Sequence, residues 1–138
     1  MAYSSILKPT DYFNTKLYTG TGATNAITGV GFQPDFTWIK NRNVTTYDHR
    51  AFDVVRGANK KIKPNTTEAE TTTTQELSSF DLDGFSLGTE NGVNASSTNF
   101  ASWSWKAGGT ASSNTDGSIT SSVSANTTSG FSIVSYTG

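Results

Sequence analysis

Apolar and polar residues alternate with a period of two in several short stretches of this chain. In the stretch Phe-Thr-Trp-Ile-Lys-Asn at 36–41, Phe36 and Trp38 fall on one side of an extended backbone and Ile39 falls on the other. Apolar groups on both sides are typical of a strand that is covered on both faces. The pattern therefore predicts a strand at the centre of a sheet.

Further strands are predicted elsewhere along the chain. At 84–88, Phe85 and Leu87 share one face between two glycines, and 131–136 alternates in the same way. Weaker strand patterns, each bounded by turn signals that contain glycine, cover 12–18, 51–56 and 118–123. Short strands at regular spacing predict an all-β fold, specifically an antiparallel β-sandwich.

One segment, 67–77, is a helix candidate. Thr67 and Glu70 match a capping box, which favours a helix start. The four consecutive threonines at 71–74 are β-branched and form helices poorly. A helix and an extended segment therefore both stay open at this place.

The stretch FASWSWKAGG contains two of the three tryptophans of the chain. In a strand, Trp103 and Trp105 share one face while Ser102 and Ser104 share the other. Because large aliphatic residues are few, we expect Trp103 in the core and Trp105 in the core or at its rim. The alternative is that the rings form an exposed binding platform.

Composition limits the size and class of the protein. The 138 residues are enough for a single domain with one hydrophobic core. Only 15% of the residues are charged, so serine, threonine, asparagine and glycine supply the polar surface. That mixture favours strands and turns over helices.

Charge and cysteine content exclude several classes of partner and site. The net charge is −1, which provides no electrostatic footprint for nucleic acid or for an anionic membrane. The absence of cysteine excludes disulfides and thiolate metal sites. The first residues lack the pattern of a signal peptide, and no segment approaches the roughly 18 apolar residues that span a bilayer. We expect a soluble protein without membrane insertion.

A short internal repeat suggests how the chain is divided. Tyr18-Thr19-Gly20 recurs as Tyr136-Thr137-Gly138, with Phe13 and Phe131 at the same offset. The repeat is typical of a complete unit followed by the first strand of the next. The expected division is an N-terminal anchor segment at 1–12, a β-sandwich domain at 13–107, a Gly/Ser-rich connector at 108–117, and closing strands or the start of a following repeat at 118–138.

Catalytic and metal motifs are weak. The sequence Gly-Phe-Ser-Leu-Gly at 84–88 fits the nucleophile elbow, but no helix pattern follows it and His49, the one histidine, precedes Ser86. Asp81-Leu82-Asp83-Gly84 fits a turn better than a calcium loop. We therefore assign no catalytic residue, no metal and no cofactor. Carboxylates such as Asp53 and Asp81 leave polysaccharide cleavage as the third-ranked alternative.

The loop Thr-Tyr-Asp-His-Arg at 46–50 mixes aromatic, acidic and basic groups. Sugar binding uses an aromatic ring for the apolar side of the sugar and planar polar groups for its hydroxyls. Tyr47, His49, Arg50 and Trp105 are therefore the candidate ligand-binding residues. The alternative is an ordinary turn whose Tyr and His shield the edge of the sheet.

The residues also resemble those of a known family. The strings ITGVGFQPDFTWIKNRN, HRAFDVVRGANKKI, SSFDLDGFSLGTENGVN, NFASWSWKAGG and NTDGSITSSVSANTTSGFSIVSYTG cover most of the chain. They closely resemble a repeated domain in tail-fibre-like virion proteins of bacteriophages, especially marine ones. The resemblance implies a jelly-roll or concanavalin A-like or SPRY-like β-sandwich, and it carries over no active-site residues.

The resemblance also implies a function. The expected protein is a structural, non-enzymatic virion component, namely the particle-proximal N-terminal domain of a tail fibre or appendage used in host attachment. It is expected to be made in the host cytoplasm, to form a homotrimer and to contact other virion proteins. Tyr3, Ile6, Leu7 and Tyr12 are the candidate assembly residues. The alternatives are a capsid decoration protein and a lectin-like module that binds host surface glycan.

Overall fold

Antiparallel β-strands form nearly all of the regular structure in the computed structural model, which describes residues 6–138. A single 3-10 turn (Pro9–Asp11) and a four-residue helix α1 (Asn91–Asn94) are the helical elements of that range. The strands are β1 (Phe13–Thr19), β2 (Asn25–Ile27), β3 (Phe36–Asn41), β4 (Arg50–Asp53), β5 (Lys60–Lys61), β6 (Thr71–Thr72), β7 (Leu77–Asp81), β8 (Gly84–Leu87), β9 (Asn99–Trp105), β10 (Ser112–Asn114), β11 (Ser121–Asn126) and β12 (Phe131–Tyr136). The fold is the all-β sandwich class that the alternation predicts.

Two sheets enclose the hydrophobic core. The larger sheet has the strand order β1-β9-β3-β4, and the smaller one has the order β2-β8-β7. Their facing side chains form one buried cluster, to which α1 adds a valine, consisting of Ile27, Ile39, Phe52, Leu77, Phe85, Leu87, Val93 and Phe100. Tyr18 packs at its margin, stacks on Phe100 at 5.1 Å between ring centroids, and donates its hydroxyl proton to the carbonyl of Val93 at 2.7 Å. The centre of the core thus consists of phenylalanines and aliphatic residues.

The serines of β9, and not its tryptophans, face this core. Ser102 and Ser104 have no exposed surface, whereas Trp103 and Trp105 are half-buried on the opposite face. The expectation that Trp103 belongs to the core is therefore wrong. The serine hydroxyls are satisfied where they lie, because the Ser104 Oγ is 3.2 Å from the Oγ1 of Thr37 and Ser102 donates to a β1 carbonyl.

The last three strands form a separate sheet in the order β10-β11-β12, here called the C-terminal meander (112–136). The chain enters it through Gly108 and Gly109, which are held by Ser124: its Oγ accepts from the Gly108 N–H at 3.0 Å and donates to the Gly109 carbonyl at 2.7 Å. A Cβ on Gly108 would collide with the backbone of Ala125. The segment 108–117, predicted as a Gly/Ser-rich connector, thus contains β10 and is held at its start by hydrogen bonds.

The segment 67–77, for which the sequence allowed either a helix or an extended segment, is extended. This segment contains β6 and the start of β7 and no helix. The threonines of β6 instead pair with Lys60 and Lys61 of β5, as their β-branched side chains favour. The strands predicted at 36–41, 84–88 and 131–136 are confirmed, with Phe85 and Leu87 both buried.

Candidate binding surface

Aromatic side chains cover the outer face of the large sheet, which points away from the core. Antiparallel register sets Phe13 and Phe36 on either side of Trp105, with ring centroids 4.9 and 5.4 Å away, and sets Trp38 beside Trp103 at 6.5 Å. All five come from alternate positions of β1, β9 and β3. We call Phe13, Phe36, Trp38, Trp103 and Trp105 the aromatic face.

A histidine completes a shallow depression in the aromatic face. His49 and the three tryptophans line a hollow of about 250 Å³. The indole N–H of Trp38 donates to Nδ1 of His49 at 2.9 Å. Burial lowers the pKa of His49, and the charge of Lys40 lowers that pKa further. The imidazole is therefore neutral at neutral pH, with its proton on Nε2, and its orientation is fixed by Trp38.

The C-terminal meander covers one end of the aromatic face. Phe131 stacks on Trp105 at 6.0 Å and meets Phe36 edge-on at 6.2 Å. Residues of both sheets also line a cleft of about 600 Å³. One wall consists of Phe36, Trp38 and Trp105 of the aromatic face, continued by Ile62, and the other is β12. Apolar and aromatic walls of this kind fit a surface that contacts another molecule.

Two charged residues, Asp53 and Arg56, are among those that line the cleft. Asp53 is buried, and its Oδ2 is 2.6 Å from Nε of Arg56. Arg56 also contacts Glu70 at 3.2 Å. The Asp53 carboxylate is thus paired with a cation within the protein, and Arg56 is paired with two carboxylates. The cleft therefore carries little net charge.

The structure brings together two of the four predicted ligand-binding residues. His49 and Trp105 share the hollow, but Arg50 turns inward, where its Nε lies 3.2 Å from Oε1 of the fully buried Glu76. Tyr47 is half-buried in the loop and lines neither the hollow nor the cleft. Arg50 therefore belongs to a buried ion-pair cluster and not to a surface site.

Sequence reasoning missed the contributions of Phe13, Phe36 and Trp38 to this surface. The alternation in β3 already placed Phe36 and Trp38 on one side, as that in β9 did for the two tryptophans. What the pattern lacks is the register between the strands, which decides that these rings are neighbours.

The candidate assembly residues lie near the start of the chain. Tyr3 lies outside the described residues. Leu7 is 97% exposed, whereas Ile6 and Tyr12 are half-buried. Leu7 is therefore an apolar side chain fully available for a contact with another chain.

The Gly-x-Ser-x-Gly motif has a packing role. Ser86 lies in strand β8 and its Oγ donates to Asp81 at 2.7 Å. A Cβ on Gly84 would collide with the carbonyl of Ile27, and one on Gly88 would lie 2.6 Å from the carbonyl of Gln75. Both glycines are thus required by close backbone approach rather than by a strained nucleophile turn.

The described residues contain neither a cluster of metal-ligand side chains nor a membrane-spanning helix. Within residues 6–138, no group of three or more His, Asp or Glu side chains is placed to hold a metal ion. No helix in the same range is long and apolar enough to cross a membrane.

Comparison with known proteins gives one match. No curated protein and no solved structure matches the chain. One family model, described as a domain of unknown function (DUF7483), matches residues 8–138. Because this match covers almost the whole sequence, the chain belongs to the DUF7483 family.

Proposed function

We propose that this chain is a structural domain of a bacteriophage virion that performs no catalysis. Its place in the particle is the particle-proximal part of a tail fibre or similar appendage, where it contacts other virion proteins and further copies of itself. The sequence resemblance to tail-fibre-like proteins is the basis for the virion setting. The proposal assigns the aromatic face and the adjoining cleft to contacts with other molecules.

The observation that carries the proposal is the position of the tryptophans. A domain that needs only to be stable gains most by burying its largest rings, since each removes about 200 Å² from water. Here all three tryptophans of the chain lie half-buried on the outer face, while serines occupy the core side of the same strand. Partly exposed aromatic groups in one patch are typical of surfaces that bind partners.

Immunogold labelling of intact virions tests the location. Antibodies against this chain are expected to label the tail region of particles. Label spread over the head would replace the appendage by a capsid decoration protein. Absence of label from purified particles, with label retained on infected-cell lysate, would contradict both placements.

A second candidate function is binding of host surface glycan, and the hollow between the tryptophans and His49 favours it. Tryptophan faces stack on the apolar side of a sugar ring, and the Nε2 proton of His49 can donate to a hydroxyl oxygen. The orientation of His49 is already fixed by Trp38. A site of this kind needs no metal and no charge on the ligand.

Glycan-array binding tests this second function. Trp103→Ala and His49→Ala are expected to abolish binding, whereas Leu82→Ala, on an exposed turn residue outside the hollow, is the matched control. Tyr47→Ala distinguishes the site predicted from the sequence, which includes Tyr47, from the hollow, which does not. If the hollow is the site, the loss of Tyr47 should leave binding intact. An array without signal for the unmodified protein would contradict glycan recognition.

A further inference from the structure

Lys40 is a charged residue beside the hollow on the aromatic face. It follows Trp38 by two positions in β3, so the two side chains lie on the same side of the sheet. Antiparallel register pairs Ile39 with Arg50, and the next residues on the two chains are Lys40 and His49. Register thus sets Lys40 next to the histidine that completes the hollow.

No carboxylate of the protein neutralises this lysine. Within residues 6–138, the side chain of Lys40 forms no ion pair with an Asp or a Glu. Lys61 and Lys63, by contrast, each lie within 3.2 Å of a carboxylate oxygen. Asp48, which precedes His49 in the chain, is itself paired with Lys63 at 3.2 Å. The hollow is therefore bordered by a positive charge that the described part of the chain leaves unpaired.

The groups at the hollow define what a ligand must offer. The tryptophans take the apolar side of a sugar ring. Trp38 occupies Nδ1 of His49, so the imidazole presents its N–H at Nε2. This N–H and the ammonium group of Lys40 are both donors, and a lysine ammonium has no accepting capacity. A carboxylate is an acceptor only and carries the opposite charge, so it pairs with the ammonium group more strongly than a hydroxyl does.

We propose that the hollow prefers a saccharide whose ring carries a carboxylate, such as a uronic acid, and that Lys40 provides this preference. The sugar ring stacks on the tryptophans, and its carboxylate lies between Lys40 and His49. The inference rests on the proposed glycan-binding function and deepens it by naming the class of sugar. The hollow alone needs no charge on its ligand, so neutral sugars are weaker ligands of the same site.

The partial burial of Lys40 sets the size of the preference. Lys40 is half-buried, so its charge is screened less than that of a fully exposed lysine. An exposed ion pair changes an affinity by up to about fivefold, and a hydrogen bond to a charged group by about tenfold or more. We therefore expect a preference of about five- to tenfold for the charged sugar.

Titration of the full chain with matched sugars tests the inference. Trisaccharides of galacturonic, glucuronic and mannuronic acid are each compared with their methyl esters, which keep the rings and hydroxyls and lose the charge. At low ionic strength, at least one acid is expected to bind about five- to tenfold more tightly than its ester, and added salt should reduce this ratio. Equal affinities of acid and ester for all three sugars overturn the inference and leave glycan recognition intact.

Variants assign the preference to Lys40. Lys40→Met should bring the ratio of the two dissociation constants to about one, and Lys40→Arg should retain a preference for the acid. Lys106→Met is the matched control, because Lys106 is exposed, forms no ion pair within residues 6–138 and does not line the hollow. An equal loss of the ratio in Lys106→Met indicates a general attraction for anions and overturns the inference. Circular dichroism checks that all three variants are folded.

His49 reports where the carboxylate binds, because it is the one histidine of the chain. The charged groups around it are Lys40, Asp48 with its partner Lys63, and Arg50, whose Nη1 donates to the His49 carbonyl. A bound carboxylate favours the imidazolium, so the acid sugar should raise the pKa of His49 in an NMR titration of its ring proton, and the methyl ester should not. An unchanged pKa with the acid bound places the carboxylate elsewhere and overturns the inference.

The glycan array separates this inference from the function on which it rests. Neutral sugars that bind on the array, together with acids that bind no better than their esters, remove the preference alone. Silence towards every sugar, charged and neutral, removes glycan recognition and the inference with it. Neither result affects the virion placement, which immunogold labelling tests.

Discussion

Phe131 is the side chain that fastens the C-terminal meander to the outer face, and its truncation should loosen the meander alone. The core cluster contains no residue beyond Phe100. Phe131, by contrast, touches Trp105 and Phe36. Phe131→Ala should therefore raise the equilibrium population of the open form of 112–136 without a comparable effect on β3 and β9.

The size of the effect follows from burial. Truncation of a fully buried phenylalanine to alanine costs about 3–5 kcal/mol. Phe131 is half-buried, so we expect a loss of about 2 kcal/mol, which includes its two aromatic contacts. That loss corresponds to an increase of about 30-fold in the population of the open meander.

Hydrogen exchange of backbone amides measures this directly. Amides of β11 and β12, and those of Gly108 and Gly109, should exchange about 30-fold faster in Phe131→Ala. Val134→Ala is the control on the same strand, because Val134 is 50% exposed and should change exchange by less than about threefold. Equal acceleration in β3, β9 and β12 would refute the view that the meander opens separately from the sandwich.

Three further predictions concern the sandwich itself. Tyr18→Phe removes the 2.7 Å hydrogen bond to Val93, so chemical denaturation should show a loss of about 1–2 kcal/mol, and an unchanged midpoint would contradict a stabilising role of this bond. Glu76→Gln leaves Arg50 and Lys61 without their shared carboxylate and should cost about 3 kcal/mol, whereas stability equal to that of the unmodified protein would refute the buried ion cluster. The pKa of Asp83 is held below its ordinary value by the backbone N–H groups of Gly31 and Gly29, so its stabilising contribution is present above the pKa of the unfolded chain and is lost as the pH falls through the folded pKa. Asp83→Asn should therefore lower the melting temperature at neutral pH and have a smaller effect in acid, and a difference that is independent of pH would contradict this linkage.

The alternation of apolar and polar residues was sufficient to predict the strands but not the orientation of β9. Alternation shows which residues share a face, and Trp103 and Trp105 do share one. It does not show which face points inward. Small serines pack against the core here because Phe100, from the same strand, and Phe52, from β4, supply the apolar volume. That balance depends on the facing sheet, which no local pattern contains.

The residues of the candidate site likewise depend on contacts that are distant along the chain. Arg50 was predicted from the sequence to bind a ligand, but its ion pair with Glu76, which lies far along the chain, holds its side chain inside the protein. His49 remains at the surface through its hydrogen bond to Trp38. Long-range contacts therefore determine which residues form the candidate site, whereas the local sequence pattern determines where the strands lie.

Acrylamide quenching of tryptophan fluorescence tests the outward position of the three indoles most directly. Variants that retain one tryptophan each, measured in dilute solution, separate Trp38, Trp103 and Trp105. We predict that each indole is quenched in the folded protein and that its emission is already partly shifted towards that of exposed tryptophan. Indoles that resist quenching until the protein is unfolded in urea would place the tryptophans in the core and contradict the aromatic face as the contact surface.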